Sequence, residues 1–187
     1  SRMKNHEWTS YSSKEGLSNE FVRAVYCDRE GSLWIGTVNG LNRLAPGIEK
    51  IEVLSTSDDL WGNNITAITG HLDANPAKGA ELWIGTDDNG LYHMNNGQFQ
   101  PYKPEGEPIN RGITSLCTDL SGCLWIGTRA GLLFLEKGRT RRPTPANHPL
   151  YDCAVRSLLM DSKGVLWIGT DSEGIFQFNG SNFSNLP

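Results

Sequence analysis

No stretch of this sequence approaches the roughly 18 consecutive apolar residues that a membrane-spanning helix needs. There is no basic excess either: 17 Lys and Arg stand against 21 Asp and Glu, for a formal charge of −4. Nucleic-acid binders normally carry a basic stripe, so that class is disfavoured. A Gly-x-Ser-x-Gly elbow, a P-loop and a dinucleotide-binding glycine fingerprint are all missing, which removes common signatures of hydrolases, NTPases and dehydrogenases. The four cysteines (Cys27, Cys117, Cys123 and Cys153) show no CxxC or other zinc spacing, and His6, His71, His93 and His148 are scattered. No metal and no cofactor is therefore expected. The cysteines read as small buried hydrophobes with free thiols, although an even count in an oxidising compartment also permits disulfides.

The chain is rich in glycine and tryptophan, with 21 and 6 respectively among 187 residues. Four of the tryptophans sit in one pentapeptide, Leu-Trp-Ile-Gly-Thr, repeated at Leu33–Thr37, Leu82–Thr86, Leu124–Thr128 and Leu166–Thr170. Trp34, Trp83, Trp125 and Trp167 are 49, 42 and 42 residues apart. The flanks repeat as well. A Val/Ile run precedes each pentapeptide, beginning at Val22, Ile65, Ile113 and Val155, and a Gly followed by an apolar residue comes after it, at Gly40, Gly90, Gly131 and Gly174. Units one, three and four also carry an Asp-x-x-Gly turn, Asp28 to Gly31, Asp119 to Gly122 and Asp161 to Gly164. Unit two lacks that turn and has six extra residues within His71–Glu81, which lengthens one hairpin and leaves the period otherwise nearly constant.

Each unit reads as four strands of about 4–7 residues, bounded by Gly, Asp and Asn and rich in β-branched and aromatic types. Asp suits the cap of a tight turn and Gly its positive-φ position. The fourth strands are expected at segments such as Ile48–Leu54 and Gln98–Lys103. Tandem four-stranded units of about 42 residues indicate an all-β fold of β-propeller blades, here a partial ring. The expected division is a last strand of a preceding blade at 6–12, then blades at 20–55, 63–103, 111–145 and 153–187, in a single segment. Blade faces are buried only by neighbouring blades. Trp34, Trp83, Trp125 and Trp167 are assigned to that packing, since an aromatic ring buries roughly 150–250 Å². Gly36, Gly85, Gly127 and Gly169 would permit close backbone approach, and the pentapeptide Thr is expected to bond locally.

The combined pattern, Val-x-x-Ile through Asp-x-x-Gly-x-Leu-Trp-Ile-Gly-Thr-x-x-Gly-Leu, with Gly16-Leu17-Ser18 as its lead-in, resembles the two-component regulator propeller repeat. The resemblance implies the periplasmic sensing part of a membrane-bound signalling protein, whose output is a histidine kinase or a related domain. It implies a non-catalytic segment cut from a longer array, responding in many members to an oligosaccharide or polysaccharide. The lack of a leader or membrane helix fits an excised or mature ectodomain and does not argue for the cytoplasm. Two open blade faces would need covering, by further blades or by self-association.

In an up-and-down blade, the loops joining strand two to three and strand four to the next strand one fall on a single face. Trp61, Asn63, Arg111, Tyr151 and Asp152 lie in the second set, and Asp87 and Asp88 in the first. Aromatic rings beside carboxylates and amides suit a sugar, whose C–H patches stack while its hydroxyls hydrogen-bond. These seven residues are the candidate ligand site; the plain alternative is ordinary polar surface loops. Arg23 and Arg156 share one strand position and could face a channel, solvated or internally paired. A protein-interaction scaffold and, behind it, a propeller lyase or hydrolase are the competing functions.

Overall fold

The computed structural model describes residues 2–4, 6–48, 50–54, 64–70, 81–95, 97–109 and 112–186. A short hairpin pairs β1 (Arg2–Lys4) with β2 (Glu7–Thr9). Four antiparallel sheets then follow in sequence. The first contains β3 (Val22–Cys27), β4 (Leu33–Thr37), β5 (Gly40–Leu44) and β6 (Glu52–Leu54) in that spatial order. The second is β7 (Ile65–Gly70), β8 (Leu82–Thr86), β9 (Leu91–Asn95) and β10 (Gln98–Tyr102). The third is β12 (Ile113–Thr118), β13 (Leu124–Thr128), β14 (Gly131–Glu136) and β15 (Arg139–Arg141), and β11 (Glu105–Gly106) adds to it in parallel beside β15. The fourth is β16 (Val155–Met160), β17 (Leu166–Thr170), β18 (Ile175–Phe178) and β19 (Phe183–Asn185).

The sheets are propeller blades. Their first strands converge, β3 on β7, β7 on β12 and β12 on β16, and form the inner edge. Alternation along each strand sends one set of side chains to the blade before and the other to the blade after. We call these the leading and trailing faces. The hydrophobic core consequently lies between blades. Trp34 and Leu41 pack with Ile68, Ile84, Tyr92 and Phe99 of blade two. Ala67 and Leu91 meet Ile113, Leu116, Ile126 and Leu133 of blade three, and Trp125 and Leu132 meet Val155, Leu166, Ile168 and Phe176 of blade four. The rings engage directly across two boundaries, Trp34 on Phe99 at 6.1 Å and Trp125 on Phe178 at 5.3 Å between centroids.

Glycine is required where these faces touch. A β-carbon on Gly36 would lie 2.5 Å from a methyl of Ile65, on Gly85 2.4 Å from Ile113, and on Gly127 2.8 Å from Val155. No side chain fits there without displacing the next blade.

The Asp-x-x-Gly segments form the tight turns between first and second strands. Gly31 bonds back to Asp28, Gly122 to Asp119 and Gly164 to Asp161, each through a 3.1 Å backbone hydrogen bond. The pentapeptide Thr bonds locally in all four units: its hydroxyl donates to the carbonyl of Gly40, Gly90, Gly131 or Gly174. In blade two the pairing runs from Ile65 opposite Thr86 to Gly70 opposite Leu82, the same ladder as in the other blades. Residues 71–80, where the hairpin is lengthened, lie outside the described residues.

Three features differ from the sequence expectation. The fourth strand of blade one spans only Glu52–Leu54, because Pro46 and the positive φ of Gly47 (74°) turn the chain before Ile48. Every first strand carries a bulge, at Arg23, Thr66, Thr114 and Arg156. Bulges re-aim side chains. Thr66 and Thr114 use theirs to donate to the carbonyls of Ile113 and Val155 in the following blade, both at 2.5 Å. Finally, β11 covers the outer edge of blade three, held by Thr140, whose hydroxyl meets the carbonyls of Glu105 and Glu107 at 2.9 and 2.5 Å.

Candidate functional site

One backbone bond organises the loop-bearing face in every blade. The residue after the pentapeptide donates its N–H to the carbonyl just before or at the start of the first strand. Val38 bonds Phe21 at 3.1 Å, Asp87 bonds Asn64 at 3.0 Å, Arg129 bonds Gly112 at 3.3 Å and Asp171 bonds Ala154 at 2.9 Å. The pentapeptide hydroxyl then accepts from the N–H of Asn39, Asn89, Ala130 or Glu173, which fixes the bend of the loop. Four side chains thereby leave the face at equivalent stations: Val38, Asp87, Arg129 and Asp171.

Asp87 and Arg129 form an ion pair across the boundary of blades two and three. Asn64 adds its amide to the other oxygen of Asp87 at 3.3 Å, and Gly112 packs so tightly that a β-carbon there would fall 2.4 Å from Asp87 Oδ1. Asp171 is held differently, within its own blade. Arg156 donates to it through Nε at 3.0 Å and Nη2 at 2.9 Å, a bidentate arrangement that lowers the carboxyl pKa and raises that of the guanidinium. Arg156 is thus internally paired, while Arg23, at the matching bulge, is exposed.

Asp88 is exposed beside a groove of about 360 Å³ between the second-to-third loop of blade two and the link into blade three. Pro101, Tyr102, Pro104, Pro108 and Ile109 supply its apolar wall, and Asp88 and Lys103 its charges. Tyr102 is fixed from below by an edge-on contact with Trp83 at 4.9 Å. Trp83 itself stacks on His93 at 4.0 Å, and His93 Nε2 lies 2.9 Å from Glu81.

Tyr151 closes a single 3-10 turn, Pro149–Tyr151, and one face of its ring is taken: the guanidinium of Arg142 lies over it at 4.3 Å. Arg142 also donates to the carbonyls of Tyr151 and Ala130, the latter at 3.1 Å, and its Nε faces Glu107 at 3.7 Å. This residue joins three loops and is not singled out by the sequence, because its partners are remote in the chain. Asp152 is exposed next to Tyr151. Trp61, Asn63 and Arg111 lie outside the described residues. The structure thus brings Asp87 and Asp88 together on one loop and sets Tyr151 and Asp152 at the next boundary. The groove wall from Pro101 to Ile109 was marked in the sequence only by its prolines.

Burial pushes the thiols of Cys117, Cys123 and Cys153 up, as for poorly reactive groups, and all four cysteines are free. Among the described residues, no group of three or more His, Cys, Asp and Glu is placed to hold a metal ion.

These blades, joined in series with a common loop face, define a β-propeller segment. Residues 16–39 and 152–172 match the family described as two component regulator propeller. The two matched segments span the first two strands of blades one and four. Its fold is shared with the extracellular domain described as that of a hybrid two component system, BT4673, from B. thetaiotaomicron, at 22% identity and TM-score 0.73. That match covers 93% of this chain but 23% of the ectodomain, so the present chain spans about a quarter of it. Virginiamycin B lyase from Staphylococcus aureus aligns at 13% identity and TM-score 0.68 over 89% of this chain and 56% of the lyase. The computationally designed Ika4 protein aligns at 14% identity and TM-score 0.59, covering 84% of this chain and 89% of that one. No curated protein matches. At such identities these likenesses establish the fold alone.

Proposed function

We propose that this segment is a non-catalytic ligand-sensing part of a two-component-type signalling ectodomain on the periplasmic side of a bacterial inner membrane, with an oligosaccharide as its ligand. The family repeats and the shared fold with a two-component ectodomain support the sensing role. The observation that carries the ligand class is the groove at blades two and three. A proline- and tyrosine-lined wall offers C–H and ring surface, and Asp88 and Lys103 stand at its rim to exchange hydrogen bonds with hydroxyls. Asp87 and Asp171 support the non-catalytic reading, since each is engaged by an arginine and serves to position a loop. Signal would arise if the sugar favoured one arrangement of blades over another, because a ligand shifts an equilibrium only by its differential affinity.

The fold is also that of a lyase, so turnover is measured alongside binding. The test is a thermal-shift and calorimetric screen of neutral and acidic oligosaccharides, with mass spectrometry of the recovered sugar. The reading requires at least one sugar to bind unchanged, and Asp88→Ala and Lys103→Ala each to weaken it about tenfold or more with the unfolding temperature retained. Release of a cleaved product, or binding indifferent to both substitutions, would reject it.

A further inference from the structure

The first Leu of each pentapeptide marks one station on the third strand, pairing Leu33 with Leu44, Leu82 with Met94, Leu124 with Leu135 and Leu166 with Phe178. The fourth-strand residue opposite that station is a packing position in three blades. Phe99 stands there in blade two, opposite Met94, and Phe183 in blade four, opposite Phe178. In blade one the Arg43–Glu52 pair puts Ile51 at the same place. Each of the three is apolar and packs into a hydrophobic cluster, Phe99 with Trp34 of the preceding blade and Phe183 in the cluster that contains Trp125.

Blade three has Thr140 at this station, opposite Leu135, and it is 1% exposed. A hydroxyl in a core position forfeits apolar burial and needs a partner. Thr140 finds its partners in β11, where the carbonyls of Glu105 and Glu107 lie 2.9 and 2.5 Å from the hydroxyl. Among the described residues, no other blade carries a fifth strand.

Few other bonds hold this strap. The N–H of Glu105 donates to the carbonyl of Gly138 at 3.0 Å, and that of Glu107 to the carbonyl of Thr140 at 3.1 Å. Gly106, with φ at 91°, crosses Thr140 so closely that a β-carbon would collide with the Thr140 carbonyl. Pro104 and Pro108 bracket the strap and have no N–H to contribute. Lys103, Pro104, Pro108 and Ile109, the two ends of the strapped segment, all line the groove between blades two and three, whereas Thr140 does not.

We propose that Thr140 is the positioning residue of that groove. Its hydroxyl fixes the strap, and the strap holds Lys103, Pro104, Pro108 and Ile109 in place as the wall that a ligand meets. What the groove receives rests on the sugar-binding reading above; what holds the groove in shape rests on the contacts of blade three.

The experiment compares Thr140→Val, which keeps the side chain's size and removes its hydroxyl, with Thr140→Ser, which keeps the hydroxyl. A residue that served packing alone would tolerate Val. In the sugar-free, isotope-labelled chain, amide exchange at Glu105 and Glu107 should quicken about three- to tenfold in Thr140→Val, the worth of one hydrogen bond. The side-chain resonances of Lys103 and Ile109 should move with it. Thr140→Ser should match the parent in both readouts, and the amides of Gly122 and Gly164, in turns on the opposite face, should respond in neither variant. Thermal unfolding verifies that both variants stay folded. An oligosaccharide that binds the parent in the screen should bind Thr140→Val more weakly by a similar factor and Thr140→Ser as it binds the parent. Exchange and resonances unchanged in Thr140→Val would overturn the proposal. So would faster exchange with sugar affinity unaltered, or a Thr140→Ser variant that behaves like Thr140→Val. If no sugar binds the parent, the sensing reading fails by itself, and the sugar-free comparison still decides whether Thr140 sets the groove wall.

Discussion

The indole N–H of Trp34 donates to Oδ2 of Asp28 at 2.7 Å, and Oδ1 of the same carboxylate accepts the backbone N–H of Ser32 at 2.8 Å. One side chain therefore sets the tight turn and also orients the ring that packs on the next blade. The arrangement recurs at Asp119 with Trp125 (2.9 Å) and at Asp161 with Trp167 (3.0 Å). In blade two, whose sequence has His71 at the matching position, His93 stacks on Trp83 and its Nε2 lies 2.9 Å from Glu81.

Replacing Asp28 with Ala should cost about 1–3 kcal/mol, because it strands a buried indole N–H and a turn amide together. Asp28→Asn should lose less, since the amide oxygen still accepts one of the two bonds. Urea unfolding of both variants checks the order.

Acid should remove the corresponding contribution of Asp161. Its carboxyl pKa is lowered chiefly by the bond from Trp167 and then by the N–H of Val165. A depressed folded pKa means that the stabilisation is present above the ordinary carboxylate range and is lost as pH falls through the folded value. The stability gap between the parent and Asp161→Asn should therefore hold constant near neutrality and close below about pH 4. Thermal unfolding across pH measures it, and a gap widening toward acid would be contrary.

Gly85→Ala should destabilise by about 1–3 kcal/mol, since the added methyl meets Ile113 and the blade must shift. Combining it with Ile113→Ala should cost less than the sum of the two single changes, because the second removes the obstruction. A double-mutant cycle by chemical denaturation gives the coupling directly.

Arg129→Gln should cost only about 0.2–1 kcal/mol, since the arginine is half-exposed, and the loss should shrink as salt is added.

Much of the scaffold was legible because it is written four times in local chemistry. The Val/Ile run, the Asp-x-x-Gly turn and the pentapeptide each specify a strand or turn within a few residues. The bond from Trp34 to Asp28 was hidden, since the turn alone gave Asp a sufficient role. Arg142 was hidden for the opposite reason: its partners Ala130, Tyr151 and Glu107 come from three loops that only the fold brings together. The strap β11 carries no β-branched residue, and Gly106, with φ at 91°, gives no strand signal. Among the candidate ligand residues, the sequence could place Asp87 on the loop face but could not foresee that Arg129 would engage it.

The most direct test of the sensing face is an NMR titration of the isotope-labelled chain with an oligosaccharide identified by the binding screen. The account predicts that backbone shifts concentrate at Asp88, Asn89, Lys103 and Ile109, with weaker changes at Asp87 and Arg129. Shifts centred instead on the opposite turns, at Asp28, Asp119 and Asp161, would contradict it.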